Sequence, residues 1–229
     1  LRRSKLLIIS ALAWWAFAAC SGPNQLPKEG ELNQLPRETF AAPEQMLRPG
    51  DIAGLDTFNV RNEMGQRING FVVDNPANDT LDLYMHGSIG NIYSRHFLPN
   101  YRLFLNWGYD LAAFDYRGYG LSEGELNIPR FHLDLRAVKT YLEERLGSTH
   151  VVLYGQSLGT SAIVPYAVHH GCDRAVLVGS SFDPRTIAEY KLQQMFFVKR
   201  WFADYFVEPG LRFNTLEEFR QLRCPGLML

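Results

Sequence analysis

The chain has 229 residues, 46% of them hydrophobic and 21% charged, which is the composition of a globular domain and excludes a disordered or fibrous protein. Its formal net charge of -1 excludes the global basic field that draws a protein onto nucleic acid. Any substrate preference must therefore come from a pocket and not from bulk charge.

Arg2, Arg3 and Lys5 make a basic start, and Leu6 to Ala19 then run apolar except for Ser10. That run is too short to span a bilayer comfortably and reads as an export signal. It ends in Phe17-Ala18-Ala19-Cys20-Ser21-Gly22, which resembles a bacterial lipobox. The resemblance implies that residues 1–19 are a lipoprotein signal peptide and that Cys20 is acylated on thiol and amine. The protein would then be held to a membrane of the cell envelope by several acyl chains, which anchor stably where one does not. Ser21 resembles the outer-membrane sorting choice of Gram-negative cells. A signal anchor, or an ordinary signal cut after Ala19, are the other readings of these residues. Residues 20–54 then read as a flexible tether, because the stretch up to about residue 50 is rich in Pro, Glu, Asn and Gln and lacks apolar periodicity.

From residue 55 onward the pattern becomes that of a folded domain. Thr57–Val60 and Gly70–Val73 read as an antiparallel pair around Met64-Gly65-Gln66-Arg67. The short apolar runs Leu81–Met85, Leu111–Phe114, Val151–Tyr154 and Ala175–Val178 suit strands buried on both faces of a parallel sheet. Helices are legible between them. Ser94–Trp107 carries Leu98, Tyr101, Phe104 and Leu105 on one face, with Pro99 as a kink or as the true start. Phe131, Leu135, Val138, Leu142 and Leu146 recur at helical steps between Pro129 and Gly147. Strand alternating with helix implies an α/β fold with a doubly wound, mostly parallel sheet.

Gly155-Gln156-Ser157-Leu158-Gly159 follows one of these strands and opens a helix that Pro165 is expected to bend. A G-x-S-x-G segment between strand and helix has a physical logic. A sharp turn lifts the serine hydroxyl above the sheet, the glycines let strand and helix backbones approach, and the helix N-terminus favours developing negative charge. Three further segments fit around it. Tyr84-Met85-His86-Gly87-Ser88-Ile89-Gly90-Asn91 resembles the H-G loop of α/β-hydrolases, and Asp115-Tyr116-Arg117-Gly118-Tyr119-Gly120-Leu121-Ser122 resembles their D-x-R-G-x-G-x-S turn. Cys224-Pro225-Gly226-Leu227-Met228-Leu229 resembles the entry to their next strand. Within that superfamily the chain looks like the branch of serine aminopeptidases and monoacylglycerol lipases.

The resemblance implies a serine hydrolase that cleaves a carboxylic ester or lipid acyl group through an acyl-enzyme. Ser157 is the implied nucleophile, and the backbone N–H groups of Leu158 and Ser88 are the implied oxyanion hole. Asp115, Arg117 and Ser122 are expected to pin a loop, and His86 to serve structure more than catalysis. In this fold the acid and the histidine follow the serine, yet His169 and His170 lie about 18 Å along a helix from it. Asp183 is the one candidate acid, with a helix N-cap before Pro184 as its other reading. The expectation is that the final strand, the acid and the histidine elements are missing, so that this chain is truncated and inactive alone. A serine peptidase of the same fold and a non-catalytic, membrane-anchored binding module remain the alternatives.

Residues 184–222 carry many aromatics, Phe219 among them, and are expected to form a cap that binds an acyl chain or simply packs on the body. Cys172 and Cys224 each precede a strand, and those strands are expected to be parallel neighbours, which makes the pair a candidate disulfide. No metal-ligand spacing and no phosphate-cradling glycine motif appear, so no cofactor, metal or nucleic acid is expected. The expected partners are a small-molecule or lipid acyl substrate and, through Cys20, a membrane.

Overall fold

The protein is described here by a computed structural model covering residues 46–48, 50–147, 150–180 and 215–228. The signal and lipidation calls at residues 1–20, Asp183 and most of the expected cap lie outside the described residues.

The described residues build a seven-stranded sheet in the order β1-β2-β4-β3-β5-β6-β7. β1 (Leu55–Arg61) and β2 (Arg67–Val73) form the expected hairpin, and β2 pairs antiparallel with β4 (Asp110–Phe114). β4, β3 (Thr80–Met85), β5 (His150–Gln156), β6 (Arg174–Val178) and β7 (Gly226–Met228) run parallel. The architecture is a doubly wound, mostly parallel α/β sheet, as the alternation of strand and helix implies.

The sheet is covered on two faces because its central strands are apolar on both. Leu81 and Leu83 of β3 point into one buried cluster and Tyr84 into the other. The first cluster lies under α2 (Phe131–Leu146) and α3 (Thr160–His170), where Phe131, Leu135, Val138 and Leu142 meet Ala162 and Ile163. Gly147 closes α2 with φ 66, the left-handed cap that glycine adopts without a side-chain clash. The second cluster lies under α1 (Leu98–Asn106), which buries Leu98, Tyr101 and Phe104 against Phe71 and Leu111. Pro99 sits in the first turn of α1, so it marks the helix start; the preceding Arg95–Phe97 form a separate 3₁₀ turn. Pro165 does not end α3, which runs unbroken from Thr160 to His170.

One expectation is corrected. Residues 46–54, read from composition as the end of the tether, are docked on the body: Met46 bridges to Ser94, the Leu47 N–H donates to the Tyr93 carbonyl at 2.7 Å, and Ile52 is buried. A short apolar segment gains more from joining an existing core than its polar neighbours lose. Phe219, for which the sequence leaves acyl-chain binding and packing on the body both open, belongs to α4 (Leu216–Gln221) and packs against the first core cluster. α4 meets α3 near Ala167 and Gly171, at the end of that helix remote from Ser157.

Cys172 and Cys224 are joined by a disulfide with Cα atoms 5.4 Å apart. The parallel pairing of Ala175 with Gly226 brings the starts of β6 and β7 side by side, which sets the cysteines within bonding range.

Candidate active site

The site forms where the parallel strands end. β5 passes through Gln156 directly into a 3₁₀ turn, Ser157–Gly159, and then into α3. Ser157 has φ 51 and is the one non-glycine residue with positive φ among the described residues. That left-handed conformation is costly for a residue with a side chain and persists only where the surroundings impose it.

The surroundings that impose it are close backbone contacts. A side chain at Gly155 would meet the Ile163 Cδ1 atom at 2.7 Å and the Gly159 carbonyl carbon at 3.0 Å. One at Gly159 would collide with the main-chain carbonyl of Met85, at the end of β3. Side-chain caps complete the turn: Thr160 Oγ1 donates to the Ser157 carbonyl and Ser161 Oγ to the Leu158 carbonyl, each at 2.7 Å. The residue before the serine is held as well. Tyr84 Oη donates to Gln156 Oε1 at 2.6 Å, and Asn100 Nδ2 donates to Tyr84 Oη at 3.1 Å. This polar cluster carries no local motif in the sequence; only the cross-strand register of Tyr84 with Tyr154 brings the two chain segments together.

The H-G loop lies against this elbow. A side chain placed on Gly87 would stand 3.7 Å from Ser157 Cβ, so the loop that continues into Ser88 passes close to the serine. Ser157 and Ser88 are half-buried and Leu158 is buried. Ser157 and Leu158 are adjacent in the 3₁₀ turn, and Ser88 follows Gly87 in the loop packed against it.

The D-x-R-G-x-G-x-S turn fixes the H-G loop from behind. Asp115 is buried and its Oδ1 accepts the Ile92 N–H at 2.9 Å. Ser122 Oγ donates to the Asp115 carbonyl at 2.6 Å and accepts the Asn69 N–H at 2.9 Å. Tyr119 Oη donates to the Ser88 carbonyl at 3.4 Å. Arg117, 2% exposed, makes charge-assisted bonds to Asp134 at 2.7 Å and to Glu63 at 2.9 Å. Asp134 also accepts the Arg117 N–H at 3.0 Å, so α2 and the turn are locked by one buried carboxylate. All of these are structural contacts, and none reaches Ser157.

The histidines are placed as follows. His86 is fully buried, its ring 4.6 Å from that of Tyr116. Its Nδ1 donates to the Gly87 carbonyl at 2.7 Å, while Nε2 faces Asp115 Oδ1 at 3.4 Å. Both ring nitrogens thus face groups of the H-G loop and the neighbouring turn. His150 starts β5, at the opposite end of the strand from Ser157. His132 pairs with His169 at 6.0 Å between ring centroids, at the far end of α3. His170 stacks on Tyr166 at 5.0 Å. His96 sits in the 3₁₀ turn before α1 against Phe97, and burial together with the nearby His86 lowers its pKa. Among the described residues no group of three or more His, Cys, Asp or Glu side chains is arranged to hold a metal ion.

The model of a family described as alpha/beta hydrolase fold matches residues 83–219. The lysophosphatidylserine lipase ABHD12 of Mus musculus is 28% identical over 165 residues, which are 67% of this chain and 41% of that protein. The alpha/beta hydrolase domain-containing protein 17C of Xenopus tropicalis is 29% identical over 133 residues, covering 56% of this chain and 42% of that one. This chain thus spans about two fifths of the length of these relatives. Among solved structures, the esterase Pf2001 of Pyrococcus furiosus superposes with a TM-score of 0.65 at 18% identity, over 79% of this chain and 71% of that one.

Proposed function

The chain belongs to the alpha/beta hydrolase family, and from that premise we propose that it is a serine hydrolase cleaving carboxylic esters, with lipid acyl esters as the substrate class and Ser157 as nucleophile. One observation carries the reading: Ser157 is held at φ 51 between β5 and α3. Strain of this kind, at the tip of a sheet and beside a glycine loop, serves to present a hydroxyl.

In this reading Ser157 Oγ attacks the ester carbonyl carbon and its proton passes to a base. The carbonyl electrons move onto oxygen, where the N–H groups of Leu158 and Ser88 stabilise the charge. Collapse of the tetrahedral intermediate breaks the carbon–oxygen bond of the ester, and the alcohol leaves with the proton. Water then cleaves the acyl-enzyme by the same steps and releases a carboxylic acid. Asp115, Arg117 and His86 position the loops that hold these groups.

The preference for lipid acyl esters is supported by the likeness to lysophosphatidylserine lipases and fits the branch that includes monoacylglycerol lipases. We also propose that Cys20 is the lipidated residue that holds the protein at the cell envelope. Incorporation of an alkynyl fatty acid that survives in Cys20→Ala would end that proposal.

The catalytic reading is tested with p-nitrophenyl butyrate and a monoacylglycerol on the full-length protein. Hydrolysis should fall by at least about 10³-fold in Ser157→Ala. Unchanged hydrolysis in that variant would remove Ser157 from the mechanism.

A further inference from the structure

Ser157 takes its left-handed turn from neighbours that are each fixed by something other than Ser157 itself. Gly155 and Gly159 are held by close packing, and the Ser157 carbonyl accepts the Thr160 hydroxyl at 2.7 Å. Gln156 is held differently. Its backbone is extended, with φ -109 and ψ 125, and the chain must turn from there to φ 51 within one residue. Its side chain is fixed by two donors from other elements, Tyr84 Oη of β3 at 2.6 Å and Asn100 Nδ2 of α1 at 3.4 Å, both on Oε1.

Tyr84 is rigid enough to hold that position. Its ring is fully buried, stacked on Tyr154 at 5.5 Å and met edge-on by Phe97 at 5.8 Å and Tyr101 at 5.3 Å. Tyr154 lies two residues before Gln156, on the same face of β5, so the ring that stacks on one delivers its hydroxyl to the other. Asn100 Nδ2 donates to Tyr84 Oη at 3.1 Å, which leaves the Tyr84 proton for Gln156. Burial pushes the phenol well above its ordinary range, so that proton stays in place. A packed ring cannot swing to a new rotamer, whereas a glutamine without these bonds can. A left-handed residue costs about as much as one hydrogen bond contributes, so a single bond can decide the balance.

We infer that Tyr84 is a positioning residue, which acts through Gln156 to hold the strained turn that presents the Ser157 hydroxyl. This rests on the serine-hydrolase reading and goes beyond it, because it ties the nucleophile's geometry to one hydroxyl on a neighbouring strand. Tyr84 is fully buried and touches no substrate, so its effect belongs in kcat and not in KM.

The test is a double-mutant cycle of Tyr84→Phe and Gln156→Met on the full-length protein. It is read by p-nitrophenyl butyrate kinetics and by amide hydrogen exchange of the peptide spanning residues 155–163. Tyr84→Phe deletes one hydroxyl and keeps the packed ring, and Gln156→Met keeps the side-chain length but loses the acceptor. Tyr84→Phe should lower kcat by at least about threefold at unchanged KM and speed exchange at the elbow by a similar factor. Gln156→Met should lower kcat likewise, and the double variant should be no worse than Gln156→Met alone, because both changes break one bond. Effects of the two substitutions that multiply overturn the route through Gln156. A lower thermal midpoint with kcat and exchange at wild-type values would leave Tyr84 a merely structural role and also overturn it. Exchange is measured in the Ser157→Ala background as well, where Tyr84→Phe should speed it equally. Hydrolysis unchanged in Ser157→Ala would remove the nucleophile while exchange still reads the hold on the elbow, so the two failures are told apart.

Discussion

Gly159, two residues after the serine, lies so close to the main-chain carbonyl of Met85 that a methyl group cannot be placed between them. The obstacle is backbone at the end of a central strand, not a flexible side chain. Gly159→Ala must therefore push α3 away from β3. The expected cost is about 2–4 kcal/mol, by analogy with overpacked cores, read as a lowered urea midpoint. A variant with wild-type stability would mean that the elbow does not seat on β3.

Ser157 itself is strained at φ 51. Glycine relieves the strain at some entropic cost in the unfolded chain, so Ser157→Gly should be more stable than wild type by about 1 kcal/mol. Thermal unfolding of the two proteins checks this, and a less stable variant would show that the side chain contributes to the turn.

Asp82, in the middle of β3, is 2% exposed and one carboxylate oxygen has no hydrogen-bond partner. Burial raises its pKa from 3.8 to about 7. The folded state therefore favours the protonated acid. Its contribution is fully present below the unfolded value and is lost as pH rises through about 7. Asp82→Asn mimics the neutral acid at every pH. It should match wild type near pH ~4 and exceed it by up to about 4 kcal/mol at pH ~8. Urea titrations at both pH values decide the matter; an equal difference at the two would contradict it.

The Cys172–Cys224 bond closes a chain separation of 52 residues. Loop-closure entropy assigns about 4 kcal/mol to a link of that span. Dithiothreitol, or Cys172→Ser with Cys224→Ser, should lower the unfolding midpoint accordingly and free β7 from the sheet first. Protection of β7 amides from hydrogen exchange, equal in oxidised and reduced protein, would contradict this.

Much of this architecture is legible in the sequence because its signals are local. β3, β4 and β5 announce themselves as short apolar runs, α2 as a stripe ending at Gly147, and the elbow as G-x-S-x-G between a strand and a helix. What the sequence hides depends on distant partners. Asp134 reads as an ordinary acid in the first turn of a helix, yet it is the buried counterion of Arg117. Asp82 lies in a strand that the sequence already suggests is buried on both faces, yet no local signal shows that one of its carboxylate oxygens is left without a partner. Phe219 sits among aromatics that suit either an acyl-binding cap or packing on the body, and its docking on the core is a long-range fact that no spacing shows. Gln156, Tyr84 and Asn100 meet through three separate elements, so no spacing rule connects them.

The most direct measurement is covalent labelling of the full-length protein with a fluorophosphonate, followed by mass spectrometry of the peptide spanning β5 and the start of α3. The phosphonyl group is expected at Ser157, held at φ 51, and Ser157→Ala should take up none. Modification at another serine, or equal labelling of the alanine variant, would contradict the account.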